Sequence, residues 1–285
     1  MDEIWFRYGL THEKSIHFFC YLGVFCLMAL WEWKASRRRE IVPPLERWPH
    51  NLALTALNIL IVRVLFPGGG LWAAFWARDH HLGYFNGGDP VPFTFGVFFT
   101  VIFLDWLIYY LHRAFHAVPW LWKFHRVHHT DPEMDITTGA RFHPAEAVIS
   151  MGFKSLLIVL MGAPPAGVFT FEILLSGMLL FEHANISIPE LWEKCLRLIL
   201  VTPEMHRVHH SVYPEEYNRN FGFIFSWWDR ALMTYLKKPK DGHERMRLGL
   251  GIFEDHTFLA VDQMLLQPFL DHEGRFDLKH FFNKD

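Results

Sequence analysis

The stretch Ile16–Trp33, IHFFCYLGVFCLMALWEW, carries no charged residue before Glu32. A helix of this length crosses the hydrocarbon core of a bilayer, which is about 30 Å thick. The basic stretch Lys34–Arg39, KASRRR, follows directly. A signal peptide would carry its charge before the apolar run and a cleavage site after it, so this run predicts a retained membrane helix. The positive-inside rule then places its carboxyl end in the cytoplasm.

Further apolar runs follow along the chain. Leu52–Phe66 is short and interrupted by polar residues, Val91–Leu111 is longer, and Val148–Leu180 is divided by the sequence GAPP at 162–165. Because proline does not continue a helix, this break predicts a hairpin of two helices. The pattern predicts an all-α fold, a polytopic integral membrane helical bundle. Counting crossings from the basic stretch places the ends of these runs that carry histidine on the cytoplasmic side.

Composition narrows the class of protein. The hydrophobic fraction is 51%, and the net charge of -3 provides no basic field to attract nucleic acid, so we exclude a nucleic-acid partner. Cys20, Cys26 and Cys195 lack the CxxC spacing of zinc or redox sites and are expected to be small buried apolar residues. Histidine is far more frequent, with 19 residues.

Three dense histidine groups carry the chemistry. HRAFH begins at residue 112, HRVHH begins at residue 125, and a second HRVHH begins at residue 206. Residues three and four apart share one face of a helix, so each group directs imidazoles towards one point. Eight imidazoles exceed the needs of one tetrahedral zinc site, which indicates two metals. The histidines in these groups are His112, His116, His125, His128, His129, His206, His209 and His210.

Other polar residues are candidates near these groups. His183 is expected to be a ninth ligand rather than a residue that orients a ligand, whereas His143 is equally compatible with either role. Asp105 lies two helical turns before His112 and is predicted either to accept an imidazole N–H or to be a structural carboxylate, paired with Arg113 or lining the bundle as a polar group. Glu146 has the same two interpretations.

At these residues the sequence resembles the fatty acid hydroxylase and sterol desaturase superfamily, whose HxxxH, HxxHH and later HxxHH motifs it matches in order and spacing. KFHRVHHT at 123–130, RFHPAE at 141–146, TPEMHRVHHS at 202–211 and NFG at 220–222 carry the resemblance. It extends over about half of the chain. Asn220 is taken with Asp105 and Glu146 as a candidate catalytic residue on this basis.

The resemblance implies a di-iron centre bound by the eight clustered histidines and His183, with two Fe ions, O2 and an external electron donor such as a reductase, ferredoxin or cytochrome. It implies hydroxylation or desaturation of a lipid C–H bond, and we favour hydroxylation. The resulting organisation has N-terminal membrane helices and an interfacial loop at 1–92, a catalytic domain at 93–235, and a C-terminal cytoplasmic cap at 236–285. The active site is expected on the cytoplasmic face.

Two other kinds of protein could use the same histidines, a metal transporter and a zinc hydrolase. A metal transporter would hold ions near the middle of the bilayer, whereas these groups lie beside arginine and lysine at the ends of apolar runs. A hydrolase would hold zinc through the same ligands, and nitrogen ligands alone do not separate zinc from iron.

Overall fold

The computed structural model describes residues 12–87, 92–277 and 281–282 of the chain. The larger helices are α1 (Glu13–Ala35), α2 (Pro44–Leu65), α3 (Gly69–Asp79), α4 (Phe93–Ala117), α5 (Pro119–His129), α6 (Pro144–Met161) and α7 (Pro165–His183). Shorter helices follow: α8 (Glu190–Leu196), α9 (Pro203–His209), α10 (Pro214–Tyr217), α11 (Trp227–Ala231), α12 (Gly242–Arg245) and α13 (Val261–Leu266). Within the described residues only isolated β-bridges occur, without any strand.

Five helical segments are long and apolar enough to cross a membrane, which confirms the prediction of an all-α multi-pass bundle. They are Glu13–Ala35, Pro44–Asn86, Phe93–Ala117, Pro144–Met161 and Pro165–His183. The second is longer than the run at 52–66 predicted, because it begins at Pro44 and continues through α3 to Asn86. The third begins after Pro92, and Val91, with which the predicted run began, lies outside the described residues.

The three cysteines are exposed, and the expectation that they are buried was wrong. Cys20 and Cys26 lie on α1, where apolar side chains such as Phe18, Phe19 and Leu27 are also exposed. An outward-facing apolar helix surface is stable in lipid, so apolar character does not require burial inside the protein.

The break at residues 162–165 forms the predicted hairpin. Gly162 ends α6 in the left-handed conformation, at φ +67°, which glycine adopts without a steric penalty. Pro165 begins α7, where its missing N–H leaves no hydrogen bond unmade. The two helices therefore return to the same end of the bundle.

Close packing of α4 against α7 places their carboxyl ends together. A Cβ atom at Gly167 would lie 2.5 Å from Thr100 Cβ, so only glycine permits this approach. Leu104, Val168 and Phe171 are fully buried in the core near this contact. Because both helices run in the same direction from it, His112 and His183 reach the same end of the bundle.

A buried polar network joins the first helices to the loop after α5. Arg47 on α2 has no exposed surface and forms ion pairs with Asp131 and Asp135. Asn51, one turn later, donates to Asp131 at 3.2 Å and to Thr137 at 3.0 Å. These contacts join residues on both sides of residue 92, where the sequence predicts a domain boundary. That boundary stays a prediction.

Candidate metal centre

Four helices bring the nine predicted histidine ligands together at one end of the bundle. All nine side chains are buried: His112 and His116 on α4, His125, His128 and His129 on α5, His183 at the end of α7, and His206, His209 and His210 on or next to α9. Within α4, α5 and α9, spacings of three and four residues place each set on one helix face.

The nine imidazoles divide into two groups. In each group, one nitrogen from every residue lies within 4.8 Å of all the others. The first group contains His112, His116, His125, His129 and His209, and the second contains His128, His183, His206 and His210. Each HxxHH motif contributes to both groups, so the two groups lie side by side.

Distances between ring nitrogens fit metal coordination. His112 Nε2 lies 3.1 Å from both His125 Nε2 and His209 Nε2, and His183 Nε2 lies 3.0 Å from His206 Nε2. Two nitrogens bound to one ion at about 2.1 Å would lie about 3 Å apart when their bonds are near 90°. The imidazoles of each group therefore converge as ligands of one ion would.

Both ring nitrogens of His116 and of His210 are buried and form no hydrogen bond. Leaving such polar groups without a partner is costly in a protein interior, and a metal ion would remove that cost. Each of the two groups contains one of these residues. The residues present thus fit a centre with two metals.

The imidazoles outside the membrane-spanning helices are held neutral. Burial lowers the pKa of His125 to about 3. Burial, followed by neighbouring imidazoles, also lowers the pKa well below its ordinary value for His128, His129, His206, His209 and His210. Metal ligation requires the neutral form, so these rings need no deprotonation to bind an ion near pH 7.

Hydrogen bonds at the outer ring nitrogens orient several imidazoles. His125 Nδ1 lies 2.7 Å from Glu146 Oε1, which is the orienting contact considered for Glu146 from the sequence. His112 Nδ1 donates to Phe221 O at 2.9 Å. Similar contacts to backbone carbonyls, each at 2.7 Å, fix His183 through Leu179 and His209 through Arg219. Such contacts leave Nε2 directed at the centre.

Glu182 is a residue of the site that the sequence reasoning missed. Its carboxylate is fully buried and has no hydrogen-bond partner. Oε1 lies 3.8 Å from His183 Nδ1, and Oε2 lies 3.9 Å from His206 Nδ1, which also lacks a partner. The sequence signal was an acidic residue beside His183, at the end of an apolar run that also contains Glu172.

Asp105 contacts no imidazole in this structure. It accepts hydrogen bonds from the backbone N–H groups of Ile224 and Phe225, each at 3.1 Å, and from Trp228 Nε1 at 2.7 Å. His112 is oriented by a backbone carbonyl instead. The second interpretation, a polar group within the bundle, therefore describes Asp105, and its partners are donors of a distant segment.

We expect Asp105→Ala to destabilise the protein severely, because one buried and two part-buried donors would lose their acceptor. Each unsatisfied donor costs about 1–3 kcal/mol. Thermal unfolding in detergent measures the effect. Asp79→Ala is the control, since Asp79 is exposed, and a midpoint equally low for both variants would contradict the assigned role.

Asn220 and His143 also lie apart from the two histidine groups. Asn220, with φ +53°, donates to Met205 O and Leu236 O, each at 2.9 Å, and so clamps the backbone beside α9. His143 caps the start of α6 by accepting from the Ala145 N–H at 3.1 Å. Both roles are structural contacts, and neither side chain belongs to a group that could hold a metal.

Comparison with known proteins matches this site to one family. Residues 97–234 match the model of the fatty acid hydroxylase family. Ornithine lipid hydroxylase OlsE of Rhizobium tropici is 28% identical over 221 residues, covering 78% of this chain and 61% of the relative. Cholesterol 25-hydroxylase of Homo sapiens is 26% identical over 161 residues, covering 56% of this chain and 58% of the relative.

Alkylglycerol monooxygenase of Danio rerio is 32% identical over 151 residues, which cover 53% of this chain and 33% of that protein. The chain thus spans less than two thirds of the length of each of these three relatives. No solved structure gives a significant match. The matched segment contains every histidine of the two groups, so the part of the chain that holds the candidate metal centre is similar to the fatty acid hydroxylase family.

Proposed function

We propose that this protein is a membrane-bound di-iron oxidoreductase that uses O2 to hydroxylate a C–H bond of a lipid. The observation that carries the proposal is the pair of adjacent buried groups, five imidazoles and four, at one end of a bundle of apolar helices. The names of the relatives, which are hydroxylases of an ornithine lipid and of cholesterol and a monooxygenase of alkylglycerol, support a lipid substrate.

In this proposal the nine histidines hold the two ions, and their neighbours orient the rings. Two iron ions bound there would supply the O2-dependent oxidation of an unactivated C–H bond. Glu146 holds the Nδ1 proton of His125, and Glu182 faces the unpartnered Nδ1 of His206. The hydrogen bond to Glu146, together with those from other rings to backbone carbonyls, keeps the Nε2 atoms directed inwards, as ordered metal sites require.

Aromatic side chains surround the imidazoles and exclude water. The ring of Phe223 lies 4.8 Å from that of His112, while Phe221 and Trp122 lie 5.1 and 4.9 Å from His116. A dry apolar wall limits side reactions of an oxidising centre and suits an acyl, sterol or isoprenoid substrate. Electrons would come from a separate donor, and the histidine end would face the cytoplasm, where Lys34–Arg39 also lies.

The test is turnover with labelled oxygen. Purified iron-loaded protein would receive a reductase system, 18O2, and an ornithine lipid, a sterol or an alkylglycerol in separate reactions. We expect one of these lipids to gain an alcohol that carries the label. An unlabelled alkene as sole product would indicate desaturation, whereas absence of any O2-dependent product in a preparation that retains zinc would favour a hydrolase.

A further inference from the structure

Two chain segments outside the long helices reach the middle of α4. Asp105 is the central residue of α4, twelve residues from either end, in a helix of 25 residues, which is about 37 Å long. Its carboxylate binds the backbone of Ile224 and Phe225. The backbone N–H groups of Ile224 and Phe225 therefore lie near the middle of α4, about 10 Å along the helix from His112, which is seven positions later.

The second segment, residues 198–200, pairs with the first. Val201 N donates to Ile224 O at 3.0 Å, and Ser226 N donates to Ile199 O at 3.0 Å. Together, residues 198–200 and 223–227 form what we call the tip. Non-helical backbone is tolerated at membrane depth only where its polar groups have partners. Asp105 and this pairing supply such partners.

The outer surface of the tip is apolar. Leu198 is 62% exposed, Ile199 is 52% exposed and Trp227 is 39% exposed, and none of the eight tip residues carries a charge. The ring of Phe225 stacks on Trp227 at 4.4 Å. Exposed aliphatic and tryptophan side chains of this kind favour the boundary between headgroups and acyl chains.

The exposed apolar surface of the tip is poorly solvated by water, and an apolar helix lies beside it. The helix against which the tip packs, α4, is one of the five apolar segments, and α4 itself exposes Phe95, Phe98 and Tyr110. Because α4 is long enough to cross the bilayer, a segment fixed near its midpoint lies at the depth of the acyl chains. The exposed surface of the tip then continues the lipid-facing surface of α4.

From this geometry we infer that the tip is a re-entrant element inserted among the acyl chains of the leaflet nearest the metal centre. The inference rests on the proposed membrane function of the chain. It also indicates where a lipid substrate would reach the histidines, because Phe223 belongs to the tip and its ring lies 4.8 Å from that of His112.

Site-directed spin labelling tests the insertion. A nitroxide is attached at Ile199→Cys, or at Leu198→Cys in a second variant, in a chain whose three native cysteines are replaced by serine. The chain is placed in phosphatidylethanolamine and phosphatidylglycerol vesicles. Leu27→Cys on α1 is the acyl-chain reference, and Lys238→Cys, exposed in the polar C-terminal region, is the aqueous reference.

We expect the labels at 198 and 199 to resemble the label at 27, with several-fold greater relaxation by O2 than by a water-soluble nickel chelate. Greater relaxation by the nickel chelate, as at 238, would overturn insertion. Shielding from both reagents would also overturn it, in favour of contact with a second copy of the chain. If the label at 27 is itself aqueous, the membrane assignment fails rather than the depth of the tip.

Discussion

His128→Ala and His209→Ala are each expected to abolish lipid oxidation and to lower the metal content by about one ion per chain. The two histidines belong to different groups, so each substitution removes a ligand from a different site. A site that loses one imidazole from a rigid buried set has no spare donor at the same angle. Metal analysis of the purified variants, together with product assays, measures both effects.

His272→Ala is the matched control, because His272 is exposed and lies outside both groups. It should retain both ions and full activity. Circular dichroism must first show that all three variants keep their helices. Equal loss of metal in the control, or two retained ions in both site variants, would contradict the assignment of the ligands.

Glu182→Ala is expected to weaken binding of one ion about 10- to 100-fold, which is typical for loss of a group that orients a ligand. The ion affected should be the one in the group of four histidines, since Glu182 faces the outer nitrogens of His183 and His206. Glu182→Gln should restore part of the affinity, because its amide oxygen keeps an acceptor facing the Nδ1 atom of His206. Competition with a graded series of chelators measures the two affinities separately.

Glu215→Gln is the control for this series, because Glu215 is exposed. The double variant Glu182→Ala with His206→Ala should bind no more weakly than His206→Ala alone, if Glu182 acts through His206. Additive losses, or equal weakening of both ions by Glu182→Ala, would show that the carboxylate acts through general stability instead.

Sequence periodicity was sufficient to predict the helices and the histidine groups. The apolar runs and the proline break at 162–165 determine local structure, and the HxxxH and HxxHH spacings place imidazoles on one helix face. The structure confirms the all-α bundle and brings all nine predicted histidines together. Their roles as iron ligands stay predictions.

The periodicity of the sequence did not predict contacts between distant segments. Asp105 has the correct helical spacing to serve His112, yet its acceptor atoms are occupied by a segment about 120 residues later. Glu182 had a neighbour in sequence, His183, but its contact with His206 depends on the packing of α9 against α7. Helix spacing describes one helix at a time, so it does not identify partners on another element.

The buried pairing of Arg47 with Asp131 and Asp135 limits how the catalytic segment can be transplanted. Residues 97–234 include both carboxylates and the nearby Arg141 but exclude Arg47, the arginine that forms ion pairs with both. In a chimera that grafts this segment onto foreign membrane helices, both carboxylates would lose this ion-pair partner, at a cost of about 3–5 kcal/mol for a broken buried pair. A functional chimera must therefore include α2, or its foreign helices must supply an arginine that reaches Asp131 and Asp135.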